Sequence, residues 1–330
     1  MTVRRLPDTL WRNRLEPIDQ LWKAARKGDP EGVHQLRVAS RRIREALPVL
    51  SGGNHPRRLK RVRRTMRALT RTLGPVREHD VSLILLSTIE KDHSEDRSAI
   101  QLVSEEVIAE RKKLQGRLRE HLDSVAPEEL ARKLTRATRH RQKPATGGHD
   151  RVKPDRLDKR WQVALAARVV RRAKRLQRSV EHAGALYAQD RLHAVRVAVK
   201  KLRYVLELGR DARLAPWTAA IRSLKQMQDS LGELQDREAL LARVRAVHAA
   251  QGKPAVSDAL ERLTRLLEEE ARHYHAQFVT RRDDLAKLCA VVRQQASGIL
   301  PIGRSLKRPA KASQRQVSAS RRATVRASRR

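Results

Sequence analysis

A motif of eleven residues occurs twice in this chain. Residues 34–44 read HQLRVASRRIR, and residues 193–203 read HAVRVAVKKLR. In each copy a histidine and three basic residues stand at the first, fourth, eighth and eleventh positions. On an α-helix, residues with this spacing lie within a sector of roughly 80°. The repeat therefore predicts two equivalent helices, each with one charged face.

The opposite face of each predicted helix is apolar. It carries Leu36, Ala39, Ile43, Leu47 and Leu50 in the first copy, and Val195, Val199, Leu202, Val205 and Leu206 in the second. Each helix is therefore expected to bury one side and to present its cations on the other. Like charges four residues apart destabilise a helix by about 0.2–0.5 kcal/mol per pair. Since no acid stands on either charged face, we interpret these faces as binding sites for an anion.

Apolar residues recur every three or four positions almost throughout the chain, which predicts an all-α fold. Pro48 is expected to kink the second helix or to end it early. Helices are predicted at residues 8–27, 30–50, 56–73, 76–91, 95–122, 127–140, 156–186, 190–210, 215–231, 234–251 and 255–296.

A second shared segment follows each charged helix. Leu73-Gly74 and Leu231-Gly232 lie at similar distances after the two histidines, and we interpret them as turns between helices. The repeated order predicts an internal duplication, with two helical bundles related by a pseudo-twofold axis. The halves are assigned to residues 1–142 and 156–297, joined by a linker at 143–155 that contains Gly-Gly and prolines. Residues 298–330 are basic and are expected to form a disordered tail.

Composition narrows the choice of partner. The net charge of +37 predicts a polyanionic partner, which could be nucleic acid, an anionic membrane surface or a phosphate polymer. Cys289 is the single cysteine, so neither an intrachain disulfide nor a thiolate zinc cluster can form. The N-terminus has no apolar stretch typical of a signal peptide, and no apolar run is long enough to span a membrane. We therefore expect a cytoplasmic protein.

The residue types around the two histidines argue against a metal site. Cations flank His34 and His193 on their own faces, and no histidine or carboxylate stands three or four residues further on. Neither a metal nor a cofactor is therefore expected. The helices that follow add more cations. Aligning the two Leu-Gly segments places Arg222 opposite Arg64 and Lys225 opposite Arg67.

The two motifs, each followed by Leu-Gly and an acid, resemble the CHAD (conserved histidine α-helical domain) family over roughly residues 8–296. The resemblance implies two four-helix bundles with pseudo-twofold symmetry, a basic central cavity, and binding of inorganic polyphosphate at polyphosphate granules without known catalysis. It implies that the binding residues are His34, Arg37, Arg41, Arg42, Arg44, Arg64, Arg67, His193, Arg196, Lys200, Lys201, Arg203, Arg222 and Lys225.

Two further expectations concern residues near the motifs. The family's usual Arg-Asp-x-Asp is replaced here by Arg77-Glu78-His79-Asp80, and acids at such positions are expected to hold arginine side chains in place. Tyr204 follows the second motif and fits the family's usual pattern, but we interpret it as a packing residue.

Two other functions were weighed against polyphosphate binding. A non-specific nucleic-acid-binding protein could use the basic faces and the tail, yet one Phe and three Tyr offer little for base stacking. A phosphohydrolase or phosphotransferase with His34 or His193 as nucleophile would need metal-binding carboxylates, which the charged faces lack. We therefore expect a binding protein rather than an enzyme, with polyphosphate as the partner and nucleic acid as the alternative.

Overall fold

The computed structural model describes residues 6–51, 57–138, 154–250 and 254–299. Regular structure in these ranges is helical, which confirms the all-α prediction. A short 3-10 turn at Ser94–Asp96 precedes the fifth helix. The α-helices are α1 (Leu6–Leu15), α2 (Ile18–Lys27), α3 (Pro30–Leu50), α4 (Arg57–Asp92), α5 (Arg97–Asp123), α6 (Pro127–Thr138), α7 (Pro154–Ala183), α8 (Gln189–Asp211), α9 (Thr218–Ala250) and α10 (Pro254–Gly298).

The two Leu-Gly segments are not turns, so that part of the prediction was wrong. Helix α4 continues through Gly74 and Pro75, and α9 continues through Gly232. A proline inside a helix costs about 3 kcal/mol. In α4, however, Leu73 and Val76 on either side of this site are fully buried, so core packing holds the helix together. The helix expected at 8–27 is instead divided into α1 and α2.

The start of the first charged helix follows directly from the local sequence. Gly28 adopts a left-handed conformation with φ of 88° and ends α2. The carboxylate of Asp29 then accepts a hydrogen bond of 2.7 Å from the backbone N–H of Gly32, with Pro30 at the first helical position. Helix α3 ends at Leu50, so Pro48 stands in its last turn.

Each part of the chain on either side of the predicted linker forms its own set of packed helices. In the first part, α3 packs against α2 and α4, and α4 packs against α5 and α6. In the second part, α8 packs against α7 and α9, and α10 also packs against α7 and α9. Across the boundary, α3 contacts α7 and α8, α4 contacts α9, and α5 contacts α10. The two charged helices are therefore neighbours. The duplication, its pseudo-twofold axis and the central cavity stay predictions.

Two hydrophobic cores support this arrangement. The larger core joins both parts of the chain and contains all four tryptophans, Trp11, Trp22, Trp161 and Trp217. The predicted apolar faces belong to it, because Leu36, Ile43, Val195 and Leu202, among others, are no more than 1% exposed. A smaller core lies between the C-terminal parts of α4 and α9 and the N-terminal parts of α5 and α10. Burying each such aliphatic side chain contributes roughly 1.5–3 kcal/mol.

Two predicted segments lie largely outside the described residues. The linker expected at 143–155 falls there except for its last two residues, which begin α7, and the tail expected at 298–330 falls there beyond residue 299. Within the ranges that the structure describes, no helix combines the length and apolar character needed to cross a membrane.

Candidate anion-binding site

The contact between α3 and α8 brings the two charged faces together. We use the name central cluster for His34, Arg37, Arg41, Arg77, His193, Arg196 and Lys200. Burial, with the added charges of Arg41 and Arg196, lowers the pKa of Arg37 to about 10. Burial also lowers the pKa of His34, as does the charge of Arg77 on α4. Side chains from both parts of the chain therefore share one cationic site, and its arginines and lysine are partly buried.

Three cations of the central cluster lack a counterion. Over the described ranges, no hydrogen-bond acceptor contacts Arg37, Arg41 or Lys200, and no carboxylate comes within the 4.0 Å of an ion pair. Burial lowers the pKa of Lys200 to about 6, with further contributions from Arg196 and Arg41. Removing a charge from water without giving it a partner costs roughly several kcal/mol. The arrangement is suited to an anion that supplies the missing negative charge.

Arg196 is held more firmly than Arg37. Its Nη1 donates a short hydrogen bond to Oε1 of Gln235, and the amide nitrogen of Gln235 lies 2.7 Å from Nδ1 of His193. Its Nη2 also lies 4.0 Å from Oδ1 of Asp236. Helix α9 thus supplies an orienting amide and one acid, although neither charged helix face carries an acid of its own. Burial raises the pKa of Asp236, which weakens its role as a counterion.

Glu78 corresponds in the first half to Asp236, since each stands four residues after its repeated glycine, but the two acids contact different arginines. Glu78 accepts a 2.9 Å hydrogen bond from Arg243 on α9 and makes no ion pair with a motif arginine. The expectation that acids at these positions hold arginine side chains agrees with this contact and with that of Asp80, which accepts a 2.6 Å hydrogen bond from Arg111. In the first half, Glu78 holds an arginine that the motif does not include.

The histidines of the two motifs lie at the edge of the cluster. His34 is partly exposed and His193 is exposed. Burial is the largest cause of the lowered pKa at both, and neighbouring cations lower the pKa further. Without a polyanion, both rings are therefore neutral at pH 7, and a bound polyanion would raise their pKa values.

A second group of cations continues from the end of α3. We call Arg44, Arg63, Arg67, Arg172 and Lys201 the lateral cluster. Burial lowers the pKa of Arg44, and the charge of Arg67 lowers it further. Burial also lowers the pKa of Lys201, as does the charge of Arg172 on α7. Arg41 connects the two clusters, because the charge of Arg44 in the lateral cluster is one of the causes that lower the pKa of Arg41.

One buried carboxylate lies beside the lateral cluster. Glu45 accepts hydrogen bonds of 2.7 Å from both Arg168 and Arg172 of α7. Burial alone would raise the pKa of Glu45, but the charges of these two arginines outweigh burial and lower it. This ion pair joins α3 to α7 across the boundary between the two parts of the chain.

The remaining residues of the predicted set lie elsewhere. Arg42 and Arg203 each lie 3.4 Å from the buried Glu207, and their guanidinium groups lie 6.0 and 5.2 Å from the ring centre of Tyr204. Tyr204 is buried, as its interpretation as a packing residue required. Arg64, Arg222 and Lys225 are exposed.

Several site residues were missed by the sequence analysis. Arg77 and Gln235 stand three residues after the two repeated glycines, so an alignment of the two halves could have found them. The contribution of Arg172 has no such signal, because α7 is rich in basic residues throughout and only packing selects this one.

The fold and site can be compared with known proteins. The chain matches the CHAD domain family over residues 9–245, which is more than half of its length, and it therefore belongs to that family. The crystal structure of the CHAD domain from the plant Ricinus communis is 20% identical, with a TM-score of 0.52, and the match covers 87% of this chain and 89% of that one. PptA from Streptomyces chartreusis is 16% identical, with a TM-score of 0.54 and coverage of 88% and 99%. At these identities the similarity shows the fold alone. No curated protein matches the chain.

Proposed function

We propose that this protein binds inorganic polyphosphate at the central cluster. The observation that carries the proposal is that three basic side chains, Arg37, Arg41 and Lys200, are partly buried beside one another where α3 and α8 meet and have no counterion among the described residues. Phosphate oxygens suit such a site, because guanidinium groups bind them through paired, charge-assisted hydrogen bonds. Membership of the CHAD family, which is associated with polyphosphate, supports the same ligand.

The order of the cations favours a linear polymer over a single phosphate. Arg37, Arg41 and Arg44 follow one another along one face of α3, at a rise of about 5.4 Å per helical turn. They lead from the central cluster to the lateral cluster. A chain of linked phosphates can place a negative charge beside each cation, whereas one phosphate can neutralise only part of the row.

The proposal is for binding without catalysis, in the cytoplasm and at polyphosphate granules. Phosphoryl transfer generally needs metal-binding carboxylates near the phosphate. In the part of the chain that the structure describes, no three His, Cys, Asp or Glu side chains are grouped so as to hold a metal ion. Histidine in this site is therefore proposed to contact phosphate rather than to attack it.

Nucleic acid remains the second candidate ligand. The net charge of +37 and the exposed Arg64, Arg222 and Lys225 favour it, since exposed cations attract any phosphate backbone. Base stacking, however, needs an accessible ring. The aromatic ring beside the motif arginines is Tyr204, and it is buried between Arg42 and Arg203. We therefore propose that any nucleic-acid binding is weaker and independent of sequence.

A titration with long-chain polyphosphate, in competition with duplex DNA at physiological salt, tests this function. Exchanging Arg37 and Arg196 for Glu reverses the charge at both motif helices. Charge-assisted hydrogen bonds contribute about 1.5–3 kcal/mol each, so we expect the affinity to fall by about a hundredfold or more. Circular dichroism should show unchanged helicity.

The matched control reverses the same number of charges away from the site. Arg117→Glu on α5 and Arg281→Glu on α10 change one exposed arginine in each half, and we expect them to leave the affinity within about twofold. Unchanged polyphosphate affinity in the Arg37 and Arg196 variant would contradict the proposed site. Displacement of polyphosphate by DNA would favour the nucleic-acid alternative.

A further inference from the structure

Each half of the molecule has a glycine in the middle of a long helix. Gly74 stands inside α4, which runs from Arg57 to Asp92, and Gly232 stands inside α9, which runs from Thr218 to Ala250. Glycine is among the poorest helix formers, because it loses the most backbone freedom on folding. Neither residue has a positive φ, so the backbone conformation does not require glycine at either place. Another cause must explain why both helices contain one.

The two glycines have the same neighbour. A Cβ atom added to Gly74 would lie 3.7 Å from Nη2 and 3.9 Å from Nε of Arg37, and outside its own turn of helix no other atom of the described residues comes within 4 Å. A Cβ atom added to Gly232 would lie 3.5 Å from Nη2 and 3.8 Å from Nε of Arg196, again with no other neighbour. In both halves the guanidinium group of a motif arginine therefore covers the glycine.

The contact also accounts for a feature of the two arginines. The Nε atoms of Arg37 and Arg196 are both buried and lack a hydrogen-bond partner. Because each Nε is buried, donors to a ligand have to come from the Nη groups, and the Nη2 group of each arginine also lies against the glycine. Arginine has a long, flexible side chain, and holding it in one orientation before binding lowers the entropy that binding must remove.

We infer that Gly74 and Gly232 are positioning residues, whose missing side chains leave the space in which Arg37 and Arg196 lie ready to contact phosphate. The inference rests on the proposed polyphosphate binding at the central cluster. A side chain longer than a methyl group would occupy this space and displace the guanidinium. A glycine needed for helix packing has different surroundings. At Gly209, for example, an added Cβ would lie 2.1 Å from the ring of Trp217.

Replacing each glycine with Ala and with Leu separates the two roles. The alanine methyl group would stand at ordinary contact distance from the guanidinium, so we expect Gly74→Ala and Gly232→Ala to lower the polyphosphate affinity less than the leucine variants do. Because alanine is the better helix former, their melting temperatures should equal or exceed the original value. Gly209→Ala, in contrast, should melt at a lower temperature.

The leucine variants should fold but bind less well. We expect Gly74→Leu and Gly232→Leu each to lower the affinity about tenfold. The slope of log affinity against log salt concentration should also become shallower by about one, as for the loss of one phosphate contact. Gly116→Leu on α5 is the matched control, since an added Cβ there meets nothing within 4 Å and neither quantity should change.

A double-mutant cycle tests whether the glycine acts through its arginine. In an Arg37→Gln background, Gly74→Leu should cause no further loss of affinity. Independent losses would overturn the inference, as would unfolding of the leucine variants, destabilisation by Gly74→Ala, or an unchanged affinity and salt slope in Gly74→Leu. Failure of the unaltered chain to bind polyphosphate would instead contradict the proposed function itself.

Discussion

At the scale of single residues, Lys200 is the part of the site whose protonation is most sensitive to a bound anion. Its amine is buried among Arg37, Arg41 and Arg196, and burial with these charges lowers its pKa to about 6. In the free protein at pH 7 the amine is therefore mostly neutral. A bound polyanion would raise the pKa again, because negative charge stabilises the ammonium form. Binding should accordingly be accompanied by proton uptake.

We expect polyphosphate affinity to increase as the pH falls from 8 toward 6. Between the pKa of the free state and the higher pKa of the bound state, only the complex carries the proton. Each unit of decreasing pH in that window can then strengthen binding by up to about tenfold per group. His34 and His193 act in the same direction, because their pKa values are also lowered in the free protein.

Calorimetric titrations in buffers of different ionisation enthalpy would count the protons that are taken up. Lys200→Met should bind more weakly and should lose part of the pH dependence, since only the histidines still titrate. An affinity that stays constant between pH 6 and 8 in the unaltered chain would contradict the coupling.

The sequence could predict which residues share a helix face, but not what that face meets. The spacing of Arg37 and Arg41, and of Arg196 and Lys200, was enough to place them on one side of each helix. Their burial depends on the contact between α3 and α8, which involves residues far apart in the chain. For the same reason the contact of Arg42 on α3 with Glu207 on α8 could not be predicted, whereas Arg203 and Glu207 stand four residues apart on α8 and form a local pair.

At the scale of helices, the ion pair of Glu45 on α3 with Arg168 and Arg172 on α7 is expected to stabilise the contact between the two parts of the chain. Glu45→Gln would leave Arg168 and Arg172 without the carboxylate that now compensates them. Breaking a buried pair by removing one partner costs about 3 kcal/mol or more. We therefore expect a clearly lower melting temperature for this variant in thermal unfolding followed by circular dichroism.

Polyphosphate should raise the melting temperature of Glu45→Gln more than that of the unaltered chain, because the freed cations of α7 gain a new anionic partner. Glu90→Gln is the control, since Glu90 pairs with the exposed Arg97 and such surface pairs contribute about 0–1 kcal/mol. If Glu45→Gln melted at the same temperature as the Glu90 variant, the ion pair would have no structural importance.

Helix boundaries were predicted where local chemistry decides them. The helices predicted at 8–27 and 30–50 meet at the Gly28-Asp29-Pro30 segment, where a left-handed glycine ends one helix and Asp29 caps the start of the next. The same reasoning was wrong at Gly74 and Pro75. There the neighbouring Leu73 and Val76 are fully buried, and tertiary packing outweighs the poor helix propensity of the two residues.

At the scale of the whole molecule, we expect the central cluster and the basic C-terminal segment to contribute separately to anion binding. After residue 303 the sequence contains ten Lys or Arg and no acid. Exposed cations bind any phosphate backbone with similar strength, whereas the central cluster offers cations that already lack partners.

A chain that ends at Ile299 should therefore keep its polyphosphate affinity within a few fold. Its affinity for duplex DNA should fall by about tenfold or more, since several phosphate contacts are lost. Parallel titrations of both lengths at the same salt concentration give the comparison. An equal loss for the two polymers would mean that the C-terminal segment, and not the compact unit, provides the binding.

Family resemblance and the internal repeat together predicted the fold class and the presence of two charged helices. They could not predict the lateral cluster. Arg172 comes from α7, a helix with basic residues on several sides, and only the packing of α7 against α3 places it beside Arg44. Such a contact depends on how two whole halves meet, and no local pattern encodes it.

The position of the tryptophans has a practical consequence for optical measurements. All four belong to the larger core and are at most 4% exposed, and the ring that lies beside motif arginines is that of a tyrosine, Tyr204. Tryptophan emission is thus a property of the folded interior. A fluorescence melting curve recorded with ligand present therefore reports unfolding without a separate signal from occupancy, and binding is measured as the shift of the melting temperature.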